Sequence, residues 1–250
     1  MIDEKTADSP NLEDRVAMLE RPAGWPVMYQ SWGDLLFMHW RVPVEMLRSH
    51  VPERLEIDTF DGSAWIAVTP LSLWNVRPIF VPPVPFVSAF YELNVRTYVH
   101  LDGVPGVWFF SLDANSFPAV MGARLFYYLP YYNAAITLEK SGRTIDFKVL
   151  RTDSPSGTLA AKWTVGDRQP RSESGSLEFF LTERYCLYAQ HAKQIYRCRI
   201  HHERWPLRRA VLNSFSTTLF EANGLPVPEG EPMVNAAGPV HVEVWPLTAV

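Results

Sequence analysis

The clearest pattern along the chain is a strict alternation of polar and apolar side chains over residues 91–99. A period of two is typical of a β-strand whose two faces meet different surroundings. Asp102-Gly103 follows, a pair that favours a two-residue turn, and residues 107–112 supply a second apolar-rich strand. The pattern therefore predicts a β-hairpin over residues 90–113.

Further short strands and a few helices are predicted along the rest of the chain. Ser9 as N-cap with Pro10 at the first helical position predicts a helix that ends before Pro22, and Asn115 or Ser116 predicts the cap of another. The remaining predicted elements are strands at 35–40, 64–69, 134–140, 143–151, 159–165 and 241–245, a hairpin over 183–202, and helical segments at 43–50, 118–127 and 177–181. Many strands joined by short turns predict a mainly β fold with a few peripheral α-helices.

Composition indicates one globular domain. Hydrophobic residues make up 47% and charged residues 20% of the 250 residues. We expect a tail and short helix over residues 1–24 and a single domain over 25–250. A formal net charge of −4 without a basic run argues against nucleic acid as a partner. The chain shows neither a secretory signal nor an 18-residue apolar run, so we expect a cytoplasmic protein without a membrane partner.

Cysteine and histidine usage offers little for metal or cofactor chemistry. Cys186 and Cys198 are the two cysteines, and we expect them to be reduced. A three-residue loop at 191–193 would place them opposite each other and leave a cross-strand disulfide open. The histidines lack metal-binding spacing, and no dinucleotide or phosphate-binding motif is present, so we expect neither a metal nor a cofactor.

One face of the hairpin at 90–113 concentrates polar side chains. Pairing Leu101 with Val104 across the turn places Glu92 opposite Asp113 and Asn94 opposite Ser111, with Arg96 on the same face. Two facing carboxylates raise the pKa of one of them, which suits a general acid or base, and an arginine can hold a substrate carboxylate. The alternative is the solvent face of an ordinary sheet. A three-residue turn would reverse the parity.

Several motifs resemble a bacterial family. They are the stretches 91–99 and 106–114, Ala123-Arg124, Leu129-Pro130-Tyr131, Gln30-Ser31-Trp32, His39-Trp40, and the stretches 58–62 and 182–185. On these residues the chain resembles the uncharacterised DUF2071 or YqjF-like family over roughly residues 25–245. That family is similar to the acetoacetate decarboxylase superfamily. The resemblance implies an antiparallel β-barrel or cone-like sheet with a central pocket.

The resemblance also implies where the pocket residues lie. Glu92 matches the pocket glutamate of the decarboxylases, and Arg124 and Pro130 match an arginine and a proline of their motif. Tyr131 and Tyr132 stand where the decarboxylases have two lysines, one of them the Schiff-base nucleophile. Because a tyrosine cannot form an imine, the decarboxylation chemistry does not carry over. Whether Lys148 or Lys162 reaches the pocket stays open at this point.

These observations favour an enzyme acting on a small organic or keto acid by enol-type acid/base chemistry. The candidate catalytic residues are Glu92 as acid/base and Tyr131 as hydrogen-bond donor. The candidate substrate-binding residues are Arg124 or Arg96 as carboxylate clamp, with Asn94, Ser111 and Asp113. Two other classes remain open, a small-ligand-binding barrel without turnover and an oligomeric scaffold. We expect a homo-oligomer. Arg184 is either a second anion clamp or an ion-pair partner.

Overall fold

The computed structural model describes residues 9–85 and 87–250. Most of residues 1–9, expected to form the tail, lie outside the described part. The helices are α1 Leu12–Ala17, α2 Val44–Arg48, α3 Phe117–Tyr127, α4 Leu177–Thr182 and α5 Leu219–Ala222. The strands are β1 Met28–Gly33, β2 Leu35–Val42, β3 Glu56–Ile57, β4 Ala64–Pro78, β5 Phe90–Leu101, β6 Val104–Ala114, β7 Tyr131–Ser141, β8 Thr144–Arg151, β9 Thr158–Arg168, β10 Cys186–His191, β11 Gln194–His202, β12 Leu207–Thr217, β13 Met233–Ala237, β14 Val240–Val244 and β15 Thr248–Ala249. The predicted mainly β class is confirmed.

The strands form one sheet that closes on itself twice. A first circuit runs through β1, β14, β11, β10, β6, β5 and β4 and returns to β1. A second circuit runs through β6, β7, β8, β9, β12, β13, β2, β4 and β5 and returns to β6. Most pairings are antiparallel, whereas β6 pairs in parallel with β7 and β10. A parallel connection needs a crossover, which α3 supplies between β6 and β7.

Strands β4, β5 and β6 belong to both circuits and therefore separate two hydrophobic cores. Leu93 and Val95 of β5 face the core of the second circuit, which also contains Phe147 and Trp163. Phe90, at the start of β5, faces the core of the first circuit together with residues such as Leu71, Leu73 and Val242. Alternate side chains of β5 thus enter different cores, as the pleat of a strand requires.

The predicted hairpin is present, but its register contains a β-bulge. Asp102 and Gly103 form the turn with φ of 50° and 74°, and Leu101 pairs with Val104 as expected. Arg96 also pairs with Phe109 as expected, whereas Val95 pairs with Ser111, because β6 carries one extra residue between the two partners. The predicted pairings of Glu92 with Asp113 and of Asn94 with Ser111 are therefore wrong by one residue.

The first helix begins later than predicted. Asn11, not Ser9, is the N-cap, and its side chain and that of Asp14 form a reciprocal capping box. Arg15 then anchors α1 to the sheet by a bidentate ion pair with Asp58, with N–O distances of 2.7 and 2.6 Å. Within the described residues, no helix is long and apolar enough to span a membrane.

The hairpin that carries the cysteines has a two-residue turn. His191 pairs with Gln194, so only Ala192 and Lys193 form the turn. Cys198 consequently lies opposite Leu187 and not opposite Cys186, which differs from the geometry that a cross-strand disulfide would need. Both cysteines are buried and free.

Candidate acid-binding site in the first circuit

A cavity of about 250 Å³ lies inside the first circuit. Its walls come from β1, β2, β4, β5, β6, β10, β11 and β14, and α3 covers one side. Most of its lining is apolar, which is typical of a small-molecule site with a few placed polar groups. The polar side chains of the lining are Gln30, Thr69, Glu92, Asn94, Arg96, Tyr127, Tyr131, Thr182, Arg184 and His202.

Glu92 and Tyr131 form a buried pair in this cavity. The Tyr131 hydroxyl donates to Oε2 of Glu92 at 2.7 Å. Burial raises the pKa of Glu92 to about 7, although the hydrogen bonds from Tyr131 and Asn94 favour its carboxylate. Burial and the neighbouring Glu92 raise the pKa of Tyr131 well above its ordinary value, so the phenol stays neutral. Glu92 is thus able to take up or release a proton near neutral pH.

Three residues of the same cavity carry buried polar atoms without a hydrogen-bond partner among the described residues. Nε and Nη2 of Arg96 are buried and have no hydrogen-bond partner among the described residues. Oδ1 of Asn94 and Oγ1 of Thr69 are also buried without a hydrogen-bond partner among the described residues. The two residues lie opposite each other in the pairing of β5 with β4. Because unpaired buried polar groups are costly, their convergence on one cavity makes it the candidate ligand site. Guanidinium donors of this kind are suited to an anion.

A second guanidinium lines the same cavity. Arg184 donates from Nη1 to Asp58 at 2.6 Å and from Nε to the Phe180 carbonyl, whereas its buried Nη2 has no partner within the described chain. Burial alone would raise the pKa of Asp58, but Arg184 and Arg15 outweigh it and hold that pKa below its ordinary value. Arg184 is therefore an ion-pair partner that keeps one donor free for the cavity.

His202 adds a neutral imidazole to the lining. Its Nδ1 lies 2.7 Å from the carbonyl oxygen of Glu203, which only accepts, so Nδ1 carries the proton. Burial lowers the pKa of His202 to about 4, and the ring stays neutral at pH 7 with Nε2 as an acceptor. Neither His202 nor Thr69 was among the predicted site residues, because neither stands in a recognisable motif.

Arg124 is a predicted clamp that lies outside the cavity lining. Its Nη2 donates to Asp153 at 2.7 Å and its Nε donates to the Tyr131 carbonyl at 2.7 Å, near the surface. Arg124 thus holds the backbone of Tyr131 from outside, whereas Arg96 and Arg184 line the cavity.

Ser111 and Asp113 also lie away from the cavity. The bulge turns both toward the core of the second circuit, where Asp113 forms a fully buried bidentate ion pair with Arg151 at 2.6 and 2.9 Å. Ser111 accepts a hydrogen bond from Asn223. Glu92 and Asn94 remain in the cavity and are 5% and 6% exposed, which overturns the alternative that their face is an ordinary solvent face.

No lysine lines the cavity in the described part of the chain. Lys148 is 62% exposed and lies near Asp146, and Lys162 is exposed as well. Both lysines are therefore excluded from the cavity wall. No cluster of three or more His, Cys, Asp or Glu side chains able to hold a metal ion occurs within residues 9–85 and 87–250.

Comparison with known proteins places this geometry in a family. The model of DUF2071, described as an uncharacterized conserved protein, matches residues 29–241. The chain therefore belongs to the DUF2071 family, as the motifs predicted. It is 41% identical over 226 residues to the uncharacterized protein YqjF of Bacillus subtilis (strain 168), covering 90% of this chain and 93% of that protein.

Solved structures with low sequence identity share the fold. The enduracididine biosynthesis enzyme MppR complexed with pyruvate is 12% identical with a TM-score of 0.63, covering 91% of each chain. An acetoacetate decarboxylase-like enzyme from Sphingomonas wittichii RW1 is 13% identical with a TM-score of 0.62, covering 92% of this chain and 96% of that one. Acetoacetate decarboxylase from Legionella pneumophila is 10% identical with a TM-score of 0.61, covering 100% and 98%. The fold is acetoacetate decarboxylase-like, as predicted.

Proposed function

We propose that the protein is an enzyme that acts on a small organic acid with a carbonyl group, by proton transfer through an enol. The observation that carries this proposal is the buried Glu92, with a pKa of about 7, in the same mainly apolar cavity as the unpaired guanidinium donors of Arg96. A shifted acid and a free cation in a cleft are the usual combination of an active site.

In the proposed reaction, Arg96 binds the carboxylate of the substrate and Glu92 exchanges protons with a carbon next to the carbonyl group. The Glu92 carboxylate removes a proton from the carbon next to the carbonyl, and the C–H electron pair becomes the enolate double bond. The protonated Glu92 then returns the proton to the enolate, at the same carbon or at a conjugated one. The hydroxyl of Tyr131 keeps the Glu92 carboxyl oriented. The Nη2 donor of Arg184 is available to the enolate oxygen.

The composition of the cavity supports this chemistry over an imine route. Neither Lys148 nor Lys162 lines it, so no amine stands ready to form a Schiff base with a carbonyl. The ligand of the related fold is consistent with a carbonyl acid, because MppR has been described with pyruvate bound. The second candidate function is a binding protein without turnover. The exchange experiment described next distinguishes it from an enzyme.

Exchange of substrate protons with solvent tests the proposal without knowledge of the product. Purified protein is incubated in D₂O with pyruvate, 2-oxobutyrate and acetoacetate, and loss of the proton signal beside the carbonyl is followed by NMR. We expect exchange above the background rate, and a decrease of ~100-fold or more in Glu92→Gln, whose amide cannot take up the proton. Binding by this variant should persist.

Two arginine variants complete the test. Arg96→Met should weaken acid binding at least ~10-fold, because a charge-assisted hydrogen bond is lost. Arg143→Met, which removes a guanidinium that pairs with Asp167 on the surface, should bind like the wild type. Acid binding without proton exchange would favour the binding protein over the enzyme. Absence of any acid binding would refute both candidate functions.

A further inference from the structure

The polar and apolar linings of the cavity are separated along the strands. Along β5, from the end next to the turn, the cavity is lined first by Arg96 and then by the cross-strand pairs Asn94–Thr69, Glu92–Leu71 and Phe90–Leu73. Arg184 lies at the polar end, since its guanidinium packs 4.8 Å from the ring of Tyr98, two residues beyond Arg96. All the polar groups of β4 and β5 that face the cavity thus lie at Glu92 or on its Arg96 side.

The lining beyond Glu92 is apolar except for Gln30 of β1, whose amide donates to Met28 Sδ and accepts a hydrogen bond from Trp32. Leu73 and Phe90 form the next row, and Val76 lies farther along β4. Met28 continues the same direction, because β1 runs antiparallel to β4 and places Met28 beside Pro78. These side chains belong to the core cluster of the first circuit, or pack against it. Water in this half of the cavity would find few hydrogen-bond partners.

Helix α3 closes the apolar half with three small residues and two aromatic ones. Ala119, Gly122, Ala123, Phe126 and Tyr127 line the cavity at spacings of three and four residues, which is one face of a helix. An added Cβ at Gly122 would meet nothing within 4 Å. Phe126 also lines the cavity although 68% of it is exposed, so the cavity reaches the surface beside this helix.

A three-carbon acid held at Arg96 would leave this half of the cavity unfilled. The cavity volume of about 250 Å³ accommodates about eight groups the size of a water at ~30 Å³ each. The strand from Glu92 to Phe90 advances ~7 Å at ~3.4 Å per residue. An unbranched substituent of about five carbons spans such a distance in extended form.

We propose that the substrate is an amphipathic carbonyl acid, with its carboxylate at Arg96 and an aliphatic substituent that extends past Glu92 toward Phe90, Val76 and α3. This inference rests on the proposed function, because it assigns the substrate class of the same site. Its basis is the separation of polar and apolar lining and the open space at Gly122, which a short acid does not use.

A homologous series measures the contribution of the substituent. Affinities of pyruvate, 2-oxobutyrate, 2-oxohexanoate and 2-oxooctanoate for the full chain are determined by calorimetry. We expect Kd to decrease about fourfold for each added methylene until the apolar half is filled. n-Hexylamine and n-octylamine, which have the chain but not the acid, should not bind. Arg96→Met should weaken every acid of the series.

A variant that fills the apolar half separates chain recognition from acid recognition. Gly122→Leu adds a side chain where the structure has open space, at a helical position that tolerates it. It should abolish the gain with chain length, lowering the affinity for 2-oxooctanoate at least ~10-fold, while pyruvate binds as before. Met121→Phe adds bulk to the exposed side of the same helix and should leave the whole series unchanged.

The outcomes distinguish this inference from the proposed function. Affinity that is independent of chain length, with pyruvate binding that still requires Arg96, would overturn the amphipathic substrate and leave the acid site standing. Unchanged chain-length dependence in Gly122→Leu would also overturn it, because the chain would then lie elsewhere. If no acid of the series binds, both the inference and the proposed function fail.

Discussion

Burial of the Glu92 carboxyl creates a group that exchanges a proton near neutral pH, and it also lowers the stability of the charged form. Its side chain is 5% exposed and is close to Tyr131 and Asn94, but no cation among the described residues pairs with it. Asp113, only one residue out of register with it across the hairpin, is fully buried and has Arg151 as a bidentate partner. The charge of Asp113 is thus compensated in the protein, whereas that of Glu92 depends on solvent, protonation or a ligand.

The raised pKa of Glu92 predicts that the contribution of this carboxyl to stability declines as pH rises from about 4.5 to about 7. In this window the unfolded chain releases the proton that the native state still holds, so unfolding becomes more favourable with pH. The loss amounts to about 3 kcal/mol when the pKa moves from 4.5 to about 7. Urea unfolding at a series of pH values measures it.

Glu92→Gln provides the matched comparison for that titration. The amide keeps the shape of the side chain and still accepts a hydrogen bond from Tyr131, but it carries no charge at any of these pH values. Between pH 4.5 and 7, the free energy of unfolding of the wild type should fall by about 3 kcal/mol relative to that of this variant, because the other titrating groups, such as His202, are common to both proteins. An equal pH dependence in both proteins would contradict the assignment to Glu92.

The types of the site residues could be predicted from the sequence better than their partners. Glu92, Asn94, Arg96 and Tyr131 were expected at the pocket and do line the cavity. Arg124 was expected as a clamp from its place in a motif, yet its donors are used by Asp153 and a backbone carbonyl. A motif indicates where in the fold a residue lies. The acceptors that surround its side chain decide which groups it pairs with.

At the scale of elements, the turn of the β5–β6 hairpin depends on Gly103. Its φ of 74° lies in the left-handed region, which is unfavourable for residues with a Cβ. Gly103→Ala should therefore destabilise the protein by about 1–2 kcal/mol. Gly122→Ala is the control, since it adds the same methyl within a helix and should stabilise by about 0.5–1 kcal/mol. Thermal unfolding of both variants tests the difference in sign.

Alternation and turn chemistry predicted the hairpin but could not reveal its bulge. Phe109 and Phe110 are both aromatic, so an extra residue at this place leaves the apolar pattern of β6 unbroken. Strands β1, β12 and β13 were not predicted either. In β12, exposed and half-buried residues alternate with almost no fully buried position, so its sequence lacks the apolar period that marks a strand.

For the whole molecule, the wall of β4, β5 and β6 supports different chemistry on its two sides. On the side of the second circuit, Arg151 connects β8 to Asp113 of β6 and to Asn223 at the end of α5. On the side of the first circuit, the same wall exposes Glu92 and Arg96 to the cavity. The rigid position of the site thus depends on packing and ion pairing behind it.

Asp113→Leu should destabilise the protein by about 3–5 kcal/mol, because it leaves the fully buried Arg151 without its countercharge. The double variant Asp113→Leu/Arg151→Met removes both charges and should recover most of that loss. Asp167→Leu breaks an Arg–Asp pair on the surface and should change stability by less than about 1 kcal/mol. Similar losses in the buried and the surface variants would contradict this account.

The expected homo-oligomer stays a prediction at this scale. The chain has a mass of 28.6 kDa, so light scattering on the purified protein distinguishes a monomer from any assembly directly. The division into a segment over 1–24 and a domain over 25–250 also stays a prediction. Arg15 and Arg21 already form ion pairs with Asp58 and Glu243 of the larger part.

The bulge between Phe109 and Ser111 makes the site sensitive to the length of the chain. β6 carries its own acid, Asp113, two residues after Ser111, and one residue decides which of the two cores receives it. Insertion of one residue between Ser111 and Asp113 would move Asp113 opposite Glu92 and take the counterion from Arg151 in the same event. Such an insertion should therefore be far more damaging than most substitutions, although the turn itself lies at the other end of the strands.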